Sequence, residues 1–377
     1  MKVGLVCFHT FSQPGGVKKH VLGLYNEYKK RGIKVKIIVP RRSKEENYGK
    51  DVILLGTSLP LTFSGSQSDL DINFNPLAIG EVLKKEKFDV LHFHNFGFPS
   101  IFQILRKSKA LNILTFHGNI RGSKFLKYFP VLLEGIKEIV KWKVDGVIGV
   151  ASFNLDIFKD LKRPKIVIPN GIDLKEFNPQ VKKIKKFLDG KINILFLGRI
   201  EERKGLAYLL RACKILEKKV KNFRLIVVGE GPLKADLKNW AIKNNLQNVA
   251  FEEKTVVRDA SSYFNTCDIY CTPAIFGESF GIVILEGMAC GKPVVAFDNE
   301  GYKELLTGKR GGILVKNRSY KELANVLEKL IKSKKLRKKI GERALKEVKE
   351  YSWEKVADRV LDFYDLCRKE KEKIKFF

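Results

Sequence analysis

Short runs of aliphatic and β-branched residues alternate along this chain with longer segments whose apolar residues recur every three or four positions. The runs are nearly continuous in apolar character rather than alternating with polar residues. That pattern belongs to strands buried on both faces of a parallel sheet, each followed by a crossover helix. In the first half the runs predict strands at Lys2–Phe8, Lys34–Val39, Asp51–Leu55, Val90–Phe93, Asn112–Thr115, Val147–Val150 and Lys165–Ile168. Helical segments fall between them, such as Val17–Arg31, which Gly32 closes. The periodicity lapses over Pro169–Gly190, where Pro169, Asn170, Gly171 and Pro179 supply turn chemistry, and then restarts. Ile192–Leu197 begins a second series, continued by a helix at Ala207–Lys219 and strands at Arg224–Val228, Ile269–Thr272, Val294–Phe297 and Gly312–Val315. An amphipathic helix at Trp353–Cys367 has no strand after it and is expected to cross back onto the first domain.

A length of 377 residues suits two cores better than one. The expected architecture is therefore α/β, with residues 1–172 as a first Rossmann-like domain, 173–350 as a second and 351–377 as the returning helix. The basic run Lys332–Lys339 reads as a solvated helix face or a connection between helices.

Composition supports a well-packed globular protein, with 44% hydrophobic and 30% charged residues. No apolar run approaches the roughly 18 to 20 residues that span a bilayer. The opening MKVGLVCFHTF is too short an apolar stretch for a signal peptide, so a cytoplasmic location is expected. The six cysteines form no CxxC pair and mostly sit inside apolar stretches, which predicts reduced, buried thiols. The net charge of +30 raises nucleic acid, anionic lipid and phosphorylated substrates as partners. Residues 1–175 hold 29 Lys and Arg against 15 Asp and Glu, so the excess is spread over both halves. A nucleic-acid reading expects a clustered stripe, and none is expected to bind. Heavy Lys and Glu use with only five Gln also fits thermophile composition.

Four groups of residues carry candidate chemistry. Gln13-Pro14-Gly15-Gly16-Val17 lies between the first strand and the first helix. It reads either as a tight turn or as a loop that lets backbone approach a phosphate or sugar at the helix N-terminus. GxGxxG is absent there, which argues against a dinucleotide-binding first domain. All five histidines, His9, His20, His92, His94 and His117, fall in the first third of the chain, and four of them follow or close predicted strands. Open α/β sheets place ligand groups at such carboxyl ends. His117 is the preferred functional one, because Gly118 leaves room beside it. A zinc site is the weaker reading, since no ligating Cys or carboxylate pattern accompanies these histidines.

In the second domain, Gly198-Arg199-Ile200-Glu201-Glu202-Arg203-Lys204-Gly205 directly follows the first strand. Arg199 and Lys204 there would meet a diphosphate ahead of a helix N-terminus, unless the loop is simply solvated. The fourth group is Glu278-Ser279-Phe280-Gly281-Ile282 running on to Glu286 and Gly291. Glu286 is the single charged residue between Ser279 and Gly291, and a buried carboxylate needs partners. It would accept hydrogen bonds from ribose hydroxyls, Glu278 would face sugar hydroxyls, and the N–H groups of Phe280, Gly281 and Ile282 would open the helix toward phosphate.

At these residues the chain resembles glycosyltransferase family four, whose members have the GT-B fold of two Rossmann-like domains facing across a cleft. The resemblance runs from Gly15-Gly16 through Pro169-Asn170-Gly171-Ile172-Asp173, Gly198-Arg199, Lys204-Gly205 and Val228-Gly229-Glu230-Gly231-Pro232 to the Glu278/Glu286 pair and the Trp353 helix. It implies a retaining transfer of a hexose from a UDP- or GDP-sugar to a lipid-linked or saccharide acceptor, without metal or cofactor. By the same resemblance Arg199 and Lys204 hold the diphosphate, Glu286 the ribose, Glu278 and the loop after it the sugar. His117 contacts the transferred sugar and Gly16 approaches the diphosphate. The sequence departs from the family at Phe251–Arg258, where a Gly-containing turn is usual, so the base stays open.

Arg121–Lys143 combines six Lys and Arg with Phe125, Tyr128, Phe129 and Trp142. It reads as an ordinary basic surface helix or as a peripheral contact with the inner face of an anionic membrane. Two alternatives stand beside the transferase: a GT-B-like UDP-sugar epimerase, and a basic nucleic-acid-binding Rossmann protein. The second does not account for Glu278 and Glu286.

Overall fold

The computed structural model describes residues 1–12, 15–63, 66–73, 75–96, 99–118, 130–252, 260–308 and 311–375. The chain forms two compact units. Unit 1 is Met1–Gly171 with Trp353–Phe377, and unit 2 is Ile172–Ser352.

Unit 1 holds an eight-stranded sheet built from β1 (Lys2–Cys7), β2 (Lys34–Arg41), β3 (Val52–Phe63), β4 (Ser66–Ile72), β5 (Val90–His94), β6 (Leu111–Phe116), β7 (Gly146–Gly149) and β8 (Lys165–Val167). Their order is β4-β3-β2-β1-β5-β6-β7-β8. All neighbours pair in parallel except β3 and β4, which form an antiparallel edge hairpin. The apolar pattern ends the third strand at Leu55 and gives no sign of β4, because Ser66–Ile72 is polar and carries no buried-strand signal. Along β1 the side chains alternate: Val3, Leu5 and Cys7 enter one core cluster, Val6 and Phe8 the other, so both faces of the sheet are covered.

The C-terminal helix Trp353–Lys375 belongs to unit 1. It runs eight residues past the expected end at Cys367, with Lys371 bonding Asp145 (2.7 Å) and the Ala110 carbonyl (2.9 Å). Val356, Ala357, Val360, Phe363, Tyr364 and Cys367 are buried along one face, at helical spacing. Trp353 is seated where two glycines leave room. A Cβ at Gly23 would stand 2.1 Å from its ring, and one at Gly171 2.4 Å.

Unit 2 holds β9 (Ile192–Leu197), β10 (Phe223–Val228), β11 (Val249–Phe251), β12 (Ile269–Thr272), β13 (Val294–Phe297) and β14 (Gly312–Val315). Their order, β11-β10-β9-β12-β13-β14, is the doubly wound 3-2-1-4-5-6 arrangement, parallel throughout. The switch point lies between β9 and β12, and ligands in such sheets bind outside the carboxyl ends there. The basic run after it is a helix connection: Ser333 ends Tyr320–Lys332 and its side chain caps Lys334–Glu347. All six cysteines are buried free thiols, as their apolar settings predict.

Gly23→Ala should destabilise unit 1 by about 1–3 kcal/mol, the usual cost of forcing carbon into a filled core. Denaturant melts of the variant check this, and an unchanged midpoint would show that the Trp353 seat is not tightly packed.

Candidate functional site

In unit 2 two loops meet at the carboxyl ends of β9 and β12. The first, Gly198–Gly205, follows β9 and leads into the helix Leu206–Leu216. Gly205 has φ +71°, and a Cβ there would lie 1.9 Å from the Pro273 carbonyl oxygen of the second loop. The two loops can touch only because that residue is glycine. The Arg203 carbonyl accepts from the Ile275 N–H at 2.8 Å, which ties them further.

The charged groups interlock there. Glu278 is buried, and its Oε1 accepts from Lys204 Nζ at 2.6 Å and Arg203 Nη1 at 3.0 Å. Glu201, also buried, pairs with Arg203 Nε at 2.5 Å and Arg199 Nε at 3.4 Å. Burial alone would push the Glu278 carboxyl up; Lys204 and then Arg203 outweigh it and hold it below the ordinary carboxylate range. Three cations thus surround two carboxylates. The solvated-loop alternative fails for the buried Glu201, whereas Arg199 and Glu202 of the same loop are exposed. Arg203 and Glu201 take no role from the sequence pattern, although both stand in the quoted motif; only the fold shows Arg203 bridging both carboxylates.

Beyond Glu278 the chain enters the helix Ile282–Ala289 through Gly281, in the left-handed region at φ +92° and with no side-chain cap. The first N–H groups of the helix are therefore not taken by a capping side chain, next to Phe280 and the Glu278 cluster. Glu286 is buried at the middle of this helix. Arg199, Lys204, Glu278, Phe280, Gly281, Ile282 and Glu286 all belong to unit 2. Residues 253–258 of the atypical Phe251–Arg258 segment lie outside the described residues.

His117, Gly15 and Gly16 belong to unit 1. Gly16 is the first residue of the helix Gly16–Lys30 and Gly15 precedes it in extended conformation, while Gln13 and Pro14 lie outside the described residues. His117 follows β6, and its backbone N–H donates to Asn95 Oδ1 at 2.7 Å. Asn95 itself takes φ +66°, a conformation that asparagine tolerates better than most. Around His117 the fold assembles a buried histidine cluster that the sequence does not show as one. His94, closing β5, bonds His117 through Nδ1···Nε2 at 3.3 Å. His20, on the first helix, packs its ring 4.7 Å from that of His117, and its Nδ1 bonds Asn170 Oδ1 at 2.7 Å.

His92 does different work. The Tyr28 hydroxyl donates to Tyr364 (3.2 Å), so Tyr364 gives its proton to His92 Nδ1 (2.6 Å), and the His92 Nε2–H donates to Thr115 (2.6 Å). One tautomer is fixed by a chain of hydroxyls that includes the C-terminal helix. Burial keeps all four imidazoles neutral by lowering their affinity for protons, in His20 down to about 4.

Of the Arg121–Lys143 segment, residues 121–129 lie outside the described residues. The helix Pro130–Lys143 ends on Trp142, 62% exposed, with the Lys143 ammonium 5.0 Å from its ring. Among the described residues, no helix is long and apolar enough to cross a membrane.

With this geometry in place, residues 14–176 match the family model Glycosyltransferase Family 4, and residues 177–347 match Glycosyl transferases group 1. The phosphatidyl-myo-inositol mannosyltransferase of Mycobacterium leprae is 31% identical over 97% of this chain and 96% of its own. Sucrose-phosphate synthase from Thermosynechococcus elongatus superposes with TM-score 0.79 at 19% identity, over 97% of this chain and 98% of its own. Anabaena HepE, in a complex with UDP and glucose, gives TM-score 0.75 at 18% identity, over 96% and 99%.

The neutral histidines predict a pH dependence of stability. In the unfolded chain a histidine takes up its proton near pH 6.5, but His20 in the fold does so only at about 4. Stability is therefore full above pH 6.5 and falls as pH drops toward 4, by roughly 3 kcal/mol for this residue. Denaturant melts at pH 7.5 and 5 should show a smaller drop in His20→Asn than in wild type; equal drops would contradict the burial argument.

Proposed function

The chain belongs to the glycosyltransferase family of these relatives, with the GT-B fold and hexosyltransferase activity, and from that premise we propose which groups carry the transfer. Unit 2 holds a nucleoside-diphosphate hexose, and the acceptor is a lipid with an anionic polar headgroup, approached through unit 1. The relatives' name supports mannose as the sugar and phosphatidylinositol as the acceptor class. The UDP in the HepE complex fits a pyrophosphate donor, without deciding the base. None of these relatives favours the epimerase or the nucleic-acid alternative.

The observation that carries the reading is the Lys204–Glu278 pair at the β9/β12 switch point, with Arg203 and Arg199 beside it. A departing nucleoside diphosphate gains negative charge as the glycosidic bond breaks. Lys204, already held and partly desolvated, stabilises that charge with little reorganisation, and the more exposed Arg199 adds to it. They serve where a divalent metal would otherwise sit, so the transfer step needs none. The donor takes Lys204 from Glu278, which frees the carboxylate for hydroxyls of the sugar. The uncapped N–H groups at Phe280–Ile282 add donors to the phosphates, and Glu286 accepts from the ribose hydroxyls. His117 contacts the sugar being transferred, and Gly15 and Gly16 let backbone approach the diphosphate.

Retention follows the family. No second carboxylate is assigned as nucleophile here, so the acceptor hydroxyl attacks on the face the diphosphate leaves, passing its proton to the departing phosphate. A lipid acceptor brings the reaction to a membrane surface, and Trp142 with Lys141 and Lys143 suits contact with an anionic one.

Lys204→Ala and Glu278→Gln should each lower kcat/KM for mannosyl transfer to phosphatidylinositol by on the order of 10²–10³ while leaving the fold intact. Wild-type rates in either folded variant would remove the assigned site, and product anomers read by NMR should keep the donor's configuration.

A further inference from the structure

Three imidazoles in unit 1 arrive from three different elements: His20 from the first helix, His94 from the end of β5 and His117 from beyond β6. One ring nitrogen of each lies within 4.8 Å of one of each of the others. One edge of this triangle already has the dimensions of a metal site. The His94 Nδ1···His117 Nε2 separation is 3.3 Å. Two nitrogens bound tetrahedrally to zinc at about 2.0–2.1 Å also stand about 3.3 Å apart. The third ligand is prepared from behind: His20 Nδ1–H donates to Asn170 Oδ1, which leaves Nε2 with its lone pair, and that buried nitrogen has no hydrogen-bond partner. An outer hydrogen bond of this kind fixes the tautomer of a metal-ligating histidine. Burial keeps the ligands neutral, in the protonation state that metal requires.

From this geometry we infer that His20, His94 and His117 form a binding site for one divalent cation of the zinc class. Three imidazoles and no thiolate suit Zn²⁺, Co²⁺ or Ni²⁺ rather than Mg²⁺ or Ca²⁺. The proton shared by His94 and His117 moves to the far nitrogen of the ring that carries it, so binding releases none. His20 swings inward to close the remaining distance. The way in lies at His117, which retains 8% exposure against 1% for His20 and none for His94, and a water completes the fourth position there. An occupied site holds His117, and on the transferase reading it slows transfer; the site itself does not depend on that reading.

Cobalt titration of the full metal-stripped chain tests this. Wild type and His9→Ala should each bind one Co²⁺ per chain with tetrahedral d–d absorption bands, and His20→Ala should bind at least tenfold more weakly. Because His20→Ala also alters packing, the wild-type Co²⁺ form gives a second readout: hyperfine-shifted imidazole N–H signals from three histidines in its NMR spectrum. No d–d band in wild type, undiminished binding in His20→Ala, or no shifted imidazole signals would each overturn the site.

Discussion

A parallel sheet covered on both faces has nowhere to place polar chemistry except at the carboxyl ends of its strands, and both units of this chain obey that constraint. In unit 2 the cations and carboxylates around Glu278 stand on the loops that follow β9 and β12, and Glu286 on the helix beyond them. In unit 1, His94 and His117 stand at the ends of β5 and β6, and His20 on the helix that follows β1. Inside the sheet of unit 1, the polar His92 and Thr115 satisfy each other. Side chains further back make cores, and those at the rim are left to bind.

The two rims solve the problem of burying ionisable groups in opposite ways. Unit 2 keeps its groups charged and pairs them: Glu278 stays ionised although buried because Lys204 and Arg203 are within hydrogen-bond distance. These ion pairs tie the two loops of the cluster together. Unit 1 keeps its groups neutral, since four adjacent imidazoles with no carboxylate bonded to them could not all be charged. Its C-terminal helix takes part in both order and chemistry, as Trp353 packs 5.3 Å from the His20 ring and Tyr364 sets the tautomer of His92.

Features encoded over a few residues are legible in the sequence. Five of the six strands of unit 2, the loop Gly198–Gly205 and the isolated Glu286 declare themselves through local pattern, because a buried strand or a lone carboxylate needs no distant partner to be noticed. The three-residue β11 at Val249–Phe251 is too short to do so. Contacts between distant segments are not legible. His20 sits at an ordinary helical position, and its approach to His94 and His117 depends on how three crossovers are wound. Arg203 lies between Glu202 and Lys204 and looks like one more solvated charge until β12 brings Glu278 to it. β4 escapes because a polar edge strand needs no apolar run. The glycines under Trp353 read as helix and turn residues until the C-terminal helix arrives.

Calorimetric titration with UDP, GDP and ADP, repeated on Lys204→Ala, is the most direct test that unit 2 is built around a pyrophosphate. One of the three should bind wild type at a single site and lose at least tenfold in affinity in the variant. Absence of binding by all three, or equal affinity in both proteins, would contradict the account.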